Sequence, residues 1–296
     1  MVLVQFLAGR FTYRTAEEWS ERINSGEITL NGKAVDPNYI LQMHDCIEYR
    51  PQDIVEPPAR LDYRVIHEDD DILVIDKPGN LCVHPSGPFY KNTLWFLLRQ
   101  KYPHIHFVNR LDRETSGLLL AAKSPEAARK IAANDAVSNK TYTAIVHGNF
   151  TGNIEASGYL VSANSVIRKK RKFITVNPDN IPGETALTTL YPIHSGQNFS
   201  LVKAILGTGR THQIRATLCS LGYPLVGDKL YGINENLFLK QKSENFTAEE
   251  LAALILPRQA LHSTGFDLRH PADNKDMHFE ISLPDELQTF VNDNIL

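Results

Sequence analysis

The 296-residue chain has little cysteine: Cys46, Cys82 and Cys219 are odd in number, far apart and in no C-x-x-C spacing. That count argues against both a disulfide framework and a cysteine-rich metal site. Long apolar runs are missing too. Stretches such as Leu251–Leu256 fall far short of the roughly 18 residues that span a bilayer. Met1 to Ala8 is apolar, but no basic segment precedes it, so it makes a poor signal peptide. His104 and His106 have no acidic or cysteine partner at helical spacing, which argues against a metal site there. Gly207-Thr-Gly-Arg210 lacks the third glycine and the Lys-Ser/Thr of nucleotide loops, and Ser116-Gly117 lacks the glycine that precedes a nucleophilic serine. No charge excess is evident, with 31 Lys+Arg against 34 Asp+Glu. A cytoplasmic protein, not a membrane protein, is expected, long enough to bury a core without metal or disulfide.

What is present reads as two parts, a small α/β module with its linker over residues 1–58 and a larger domain over 59–296. Thr15 and Glu18 form a capping box ahead of Ala16, Trp19 and Ile23 at helical spacing, with Gly26 closing the helix. Asn31-Gly32 between two short β-prone runs is a strong hairpin signal. Another strand is expected from Cys46 to Tyr49, and Pro51, Pro57 and Pro58 mark a linker. In the larger part, strands are expected at Ile72–Ile75, Leu118–Ala122, Tyr142–Val146, Glu184–Ile193 and Phe199–Leu206. Helices are expected after Asn92 as cap, after Ser124-Pro125, and from about Thr211 to Leu221. A helical insertion over 234–256 carries a second capping box, Thr247 with Glu250. Strands outnumber helices and tight turns join them, so the fold class is α+β with a mixed, largely antiparallel central sheet.

Two segments stand out chemically. Arg110-Leu-Asp112-Arg-Glu-Thr-Ser-Gly117 runs polar groups straight into an apolar strand, which costs free energy unless they are paired. Gly209-Arg-Thr-His-Gln-Ile-Arg215 opens a helix. Arg210 and Arg215, five apart, are free to serve different partners, a ligand phosphate for Arg210 and a buried carboxylate for Arg215.

Seven motifs occur in order: Lys77-Pro-Gly79, Val83-His-Pro85, Arg110 to Gly117, Lys140-Thr-Tyr-Thr-Ala-Ile-Val-His-Gly148, Gly209 to Arg215, Pro224-Leu-Val-Gly-Asp228 and Leu261-His-Ser263. The series, spanning about residues 62–285, resembles the RluA-type pseudouridine synthases, which isomerise uridine in structured RNA. The helix, Asn-Gly hairpin and strand over residues 10–55 resemble the RNA-binding module named after ribosomal small-subunit protein four.

The resemblance implies Asp112 as catalytic aspartate, Tyr142 as the family tyrosine and Arg215 as the family arginine, with no metal or other cofactor. An ionised carboxylate can attack sugar or base, or remove a sugar proton, and the three stay open. A guanidinium keeps it ionised, and an aromatic ring can stack on the extruded base or, through its phenol, take up the carbon-5 proton. Arg110 and Arg113 bracket Asp112 as phosphate contacts. Asn109, expected beside them as an RNA contact, stands where the family commonly has His, and cannot titrate near neutrality. Beside such a site Arg210 and the run Arg168, Lys169, Lys170, Arg171 and Lys172, otherwise a solvated loop, become RNA contacts. Total charge is therefore the wrong scale for judging a polyanionic partner. Residues 1–60 carry the net −3 and the rest sums to zero, so local patches decide. The expected protein is a monomeric RNA isomerase, acting on ribosomal RNA in preference to transfer RNA. A non-catalytic RNA-binding or assembly factor on the same fold, and a glycoside-cleaving enzyme using Asp112 and Glu114, are the competing readings.

Overall fold

The computed structural model describes residues 1–296 apart from 12–13, 52–54, 134, 166, 168–169, 178, 233, 235 and 241–245. It divides into two compact units, Met1–Pro58 with His84–Asn92, and Ala59–Val83 with Thr93–Leu296.

The smaller unit contains α1 (Leu3–Arg10), α2 (Ala16–Asn24), β1 (Ile28–Leu30), β2 (Lys33–Ala34) and β3 (Ile47–Tyr49). Its sheet is antiparallel, in the order β2-β1-β3. The capping box forms as expected: Thr15 Oγ1 accepts the Glu18 N–H and Glu18 Oε2 accepts the Thr15 N–H. Asn31 and Gly32 both have positive φ, 51° and 76°, as a two-residue turn matched to the twist of its strands demands. Helix α1 was not signalled by the sequence, because its first residues have no side-chain cap. Tertiary packing holds it, through Leu3 and Leu7 buried against Trp19, Ile23 and Ile28. Residues 90–92 are tied to the linker by Glu56, whose carboxylate accepts the N–H groups of Tyr90, Lys91 and Asn92.

The larger unit begins with β4 (Arg64–Glu68), β5 (Ile72–Lys77), α3 (Leu94–Arg99), β6 (His106–Phe107), β7 (Ser116–Ala122) and α4 (Pro125–Ala133). It continues through β8 (Val137–His147), β9 (Ile154–Ser162), β10 (Arg171–Ile174), β11 (Gly183–Ser195), β12 (Phe199–Leu206) and α5 (Gln213–Ser220). Last come α6 (Asn236–Lys240), α7 (Ala248–Leu254), β13 (Leu261–Arg269), β14 (Asp276–Glu280) and α8 (Asp285–Asn294). Among the described residues one sheet runs β10-β9-β11-β12-β8-β13-β7-β5-β4, with β14 on β13 and β6 on β7. Every pairing is antiparallel except β7 with β13. Strand β7 is buried along its whole length, which is why its sequence is a continuous apolar run with no alternation.

Three expectations are corrected. Thr93, not Asn92, caps α3: its hydroxyl accepts the Phe96 N–H, while the Asn92 amide donates to the Pro57 carbonyl. Helix α5 starts at Gln213, so Arg210 lies in the preceding loop and not on another helix face. The Gln213 side chain fixes that start by accepting the Arg210 N–H and the Thr208 hydroxyl. Arg171 and Lys172 open the edge strand β10 instead of lying in a loop, because their backbone pairs with Ser162 and Val161.

The parallel junction of β7 and β13 needs a glycine. Gly117 has φ of +107°, and a Cβ there would lie 2.2 Å from the Ser263 carbonyl oxygen, which belongs to backbone and cannot swing away. Gly117→Ala is expected to cost at least about 2 kcal/mol, from strain and overpacking together. Urea unfolding of the purified variant reads this directly.

Candidate active site

Asp112 sits in the polar turn between β6 and β7. The turn is closed by the Thr115 N–H on the Asp112 carbonyl and anchored by Lys77. This lysine is fully buried, and its ammonium donates to the carbonyls of Pro78, Leu81 and Arg113 at 2.8–3.2 Å. Burial, helped by the Arg258 guanidinium, pushes its pKa down to about 7. The polar run that looked costly is paid for by such pairings: Gln259 donates to Thr115 Oγ1, Ser116 Oγ meets His262 Nδ1, and Lys229 binds Glu114 at 2.7 Å.

Opposite Asp112 stands Arg215, on the first turn of α5. Its Nη1 donates to Asp112 Oδ2 at 2.7 Å. Its other edge grips Asp228 bidentately, Nε to Oδ2 at 2.7 Å and Nη2 to Oδ1 at 2.8 Å. Asp228 is itself fully enclosed and accepts the N–H groups of Leu230 and Tyr231. Arg215 is thus clamped from behind and offers its remaining edge to Asp112, whose side chain stays 29% exposed. Burial alone would raise the Asp112 carboxyl. The charges of Arg215 and His212 outweigh it and hold the group below the ordinary carboxylate range, so it is ionised at neutral pH. Burial works likewise against Asp228 and is overcome by Arg215.

Tyr142 projects from β8 beside this pair. Burial drives its phenol up to about 12, against a hydrogen bond with Ser263 on β13, so the free protein holds it neutral. Asp112, Tyr142 and Arg215, far apart in sequence, therefore meet in one place. The positions expected to contact RNA are treated more variously. Arg110 is exposed. Arg113 lies 3.5 Å from the Glu114 carboxylate. Arg210 is 42% exposed and donates to the Thr185 carbonyl. Lys170 lies 6.0 Å from the centre of the Tyr231 ring, and Lys172 is exposed. Arg171 is bound to Glu184 and to the Leu160 carbonyl. Arg168 and Lys169 lie outside the described residues. Asn109 serves the fold, its side-chain oxygen accepting the Leu120 N–H of β7 at 3.0 Å.

Lys77, Asp228, His212 and Tyr231 were not given roles from the sequence. For Asp228 and Tyr231 a signal existed, since acid, lysine and tyrosine are embedded among Leu225, Val226 and Leu230, where an unpaired charge is not tolerated.

Comparison with known proteins bears on what this arrangement does. The family description "RNA pseudouridylate synthase" matches residues 71–220. That span contains Asp112, Tyr142 and Arg215. An uncharacterized RNA pseudouridine synthase of Bacillus subtilis, YlyB, is 31% identical over 95% of this chain and 92% of its own length. Ribosomal large subunit pseudouridine synthase D of Zymomonas mobilis is also 31% identical, over 95% of this chain and 90% of its own. Among solved structures, human RNA pseudouridylate synthase domain containing 1 shares the fold at a TM-score of 0.57 and 24% identity, over 78% of this chain and 86% of that one. The chain belongs to the RNA pseudouridylate synthases and is an isomerase acting on RNA.

Proposed function

We propose that the protein is a synthase of the RluA type that converts particular uridines of structured RNA to pseudouridine with Asp112 as its catalytic residue. One observation carries the assignment: the Asp112 carboxylate is partly open and held ionised by a guanidinium that Asp228 locks in place. Addition to sugar or base, and removal of a sugar proton, all require that ionised form. Tyr142, a neutral phenol within electrostatic reach of the same carboxylate, supplies a face for the detached uracil, which must turn from nitrogen 1 to carbon 5 without leaving. Arg110, Arg113, Arg210 and the basic run from Arg168 to Lys172 grip the backbone around the extruded nucleotide.

Ribosomal RNA is favoured over transfer RNA, in line with the names of several relatives, which refer to the large ribosomal subunit. The smaller unit acts as an RNA-binding module like that of ribosomal small-subunit protein four, supported by its helix pair and Asn-Gly hairpin. The protein works in the cytoplasm as a monomer. The test is tritium release from total RNA labelled at carbon 5 of uridine, with ribosomal and transfer fractions assayed apart. Release from the ribosomal fraction is expected. Tight RNA binding with no release from any fraction would overturn the proposal in favour of a non-catalytic binding factor.

A further inference from the structure

The two oxygens of Asp112 are treated differently. Oδ2 takes the Arg215 hydrogen bond at 2.7 Å. Oδ1 faces Nε2 of His212 at 3.8 Å, close enough for charge to matter and too far for a hydrogen bond.

His212 is held there at a visible cost. Its backbone is left-handed, φ 60° and ψ 19°, an uncommon state for a residue with a side chain, and its ring makes no capping bond to α5. The ring is instead engaged by Tyr231, with Nδ1 3.1 Å from the phenol oxygen and the two rings edge to face at 5.6 Å. Tyr231 is itself immobilised. It is 1% exposed, its oxygen accepts the Arg171 backbone N–H at 2.9 Å, and the Arg215 guanidinium lies 5.0 Å from its ring centre. The ring nitrogen turned toward Asp112 is therefore Nε2.

We propose that His212 is a positioning residue for the isomerisation: oriented by Tyr231, it holds Oδ1 of Asp112 in aim as the reacting oxygen, while Arg215 retains Oδ2. The assignment rests on Asp112 being the catalytic residue. It extends the site by a chain of contacts, from the Arg171 backbone through Tyr231 and His212 to the carboxylate. It also gives a reason for the strained turn, since a right-handed backbone at 212 would carry the ring elsewhere.

The test is single-turnover tritium release, with enzyme in excess over carbon-5-labelled total RNA from cells lacking the protein. Varying enzyme concentration separates the maximal rate from the half-saturating concentration. His212→Asn keeps a polar group near Nδ1 and removes Nε2, and should lower the maximal rate by about 10- to 100-fold, with half-saturation little changed. His212→Gln, whose amide nitrogen reaches the Nε2 position, should recover part of that loss. Tyr231→Phe should lower the same rate, and the His212→Asn/Tyr231→Phe double variant should be no slower than the slower single one. An unchanged maximal rate in His212→Asn, or Gln no better than Asn, overturns the positioning role. Asp112→Ala run alongside keeps the two readings apart. Full activity there overturns the assignment of Asp112 itself, whereas its inactivity beside an unaffected His212→Asn overturns the role of His212 alone.

Discussion

Asp112→Asn should fold normally and release tritium at least about 10⁴-fold more slowly than the natural protein, the scale on which removal of an essential nucleophile or base is felt. That factor corresponds to roughly 5 kcal/mol of barrier. The substitution is nearly isosteric, so it isolates charge and nucleophilicity from shape. Little stability should be lost, because Arg215 keeps its bidentate grip on Asp228 and the amide oxygen still accepts from Nη1. A cost of about 1 kcal/mol is expected in denaturant unfolding. Near-wild-type activity in Asp112→Asn would mean that the chemistry lies elsewhere.

Arg215→Met is expected to fail differently, in stability as well as in rate. Removing the guanidinium leaves the Asp228 carboxylate enclosed, with two backbone N–H groups as its remaining partners among the described residues. Breaking a buried pair from one side costs about 3–5 kcal/mol, a large part of the 5–15 kcal/mol that holds a domain together. In thermal unfolding that amounts to a fall of roughly 6–20 °C. Adding Asp228→Asn should return much of the lost stability, since the buried charge is gone and an acceptor remains for Leu230 and Tyr231. Activity should not return, because Asp112 still lacks its cation. The pH dependence has a definite sign. Asp112 and Asp228 have folded pKa values below their unfolded ones, near 4, so their contribution is complete above that pH. It is lost as pH falls through the lower folded values, and the gap between natural protein and Arg215→Met should narrow in acid.

Much of the fold was legible because its signals are local. The Thr15–Glu18 box, the Asn31-Gly32 turn and the unbroken apolar run of β7 each declare themselves within a few residues. What stayed hidden is what only tertiary contact decides. Helix α1 exists because Leu3 and Leu7 find Trp19 and Ile23. Strand β10 exists because β9 offers an edge to a segment that reads as a basic loop. At the site, Asp112, Tyr142 and Arg215 could be named from motif resemblance, and Arg215 was expected to meet a buried carboxylate. Which carboxylate could not be read from spacing, since Asp228 lies in a loop after α5 and meets the arginine only through the folded turn. The bond by which Asn109 ties the turn bearing Asp112 to β7 was likewise invisible to spacing.

The parallel join of β7 and β13 bears on how the molecule comes into being. It pairs Ser116 and Gly117 with His262 and Ser263, and the Ser116–His262 contact spans 146 residues of chain. Loop closure on that scale is paid before any contact rewards it, so folding of the larger unit should be slow and its central sheet among the last parts to close. On a growing chain, the turn bearing Asp112 leaves the ribosome long before Arg215 and the Ser263 partner of Tyr142 have been made. The aspartate therefore emerges without its cation. The cluster of Asp112, Arg215 and Tyr142 is incomplete on the nascent polypeptide until synthesis has passed β13.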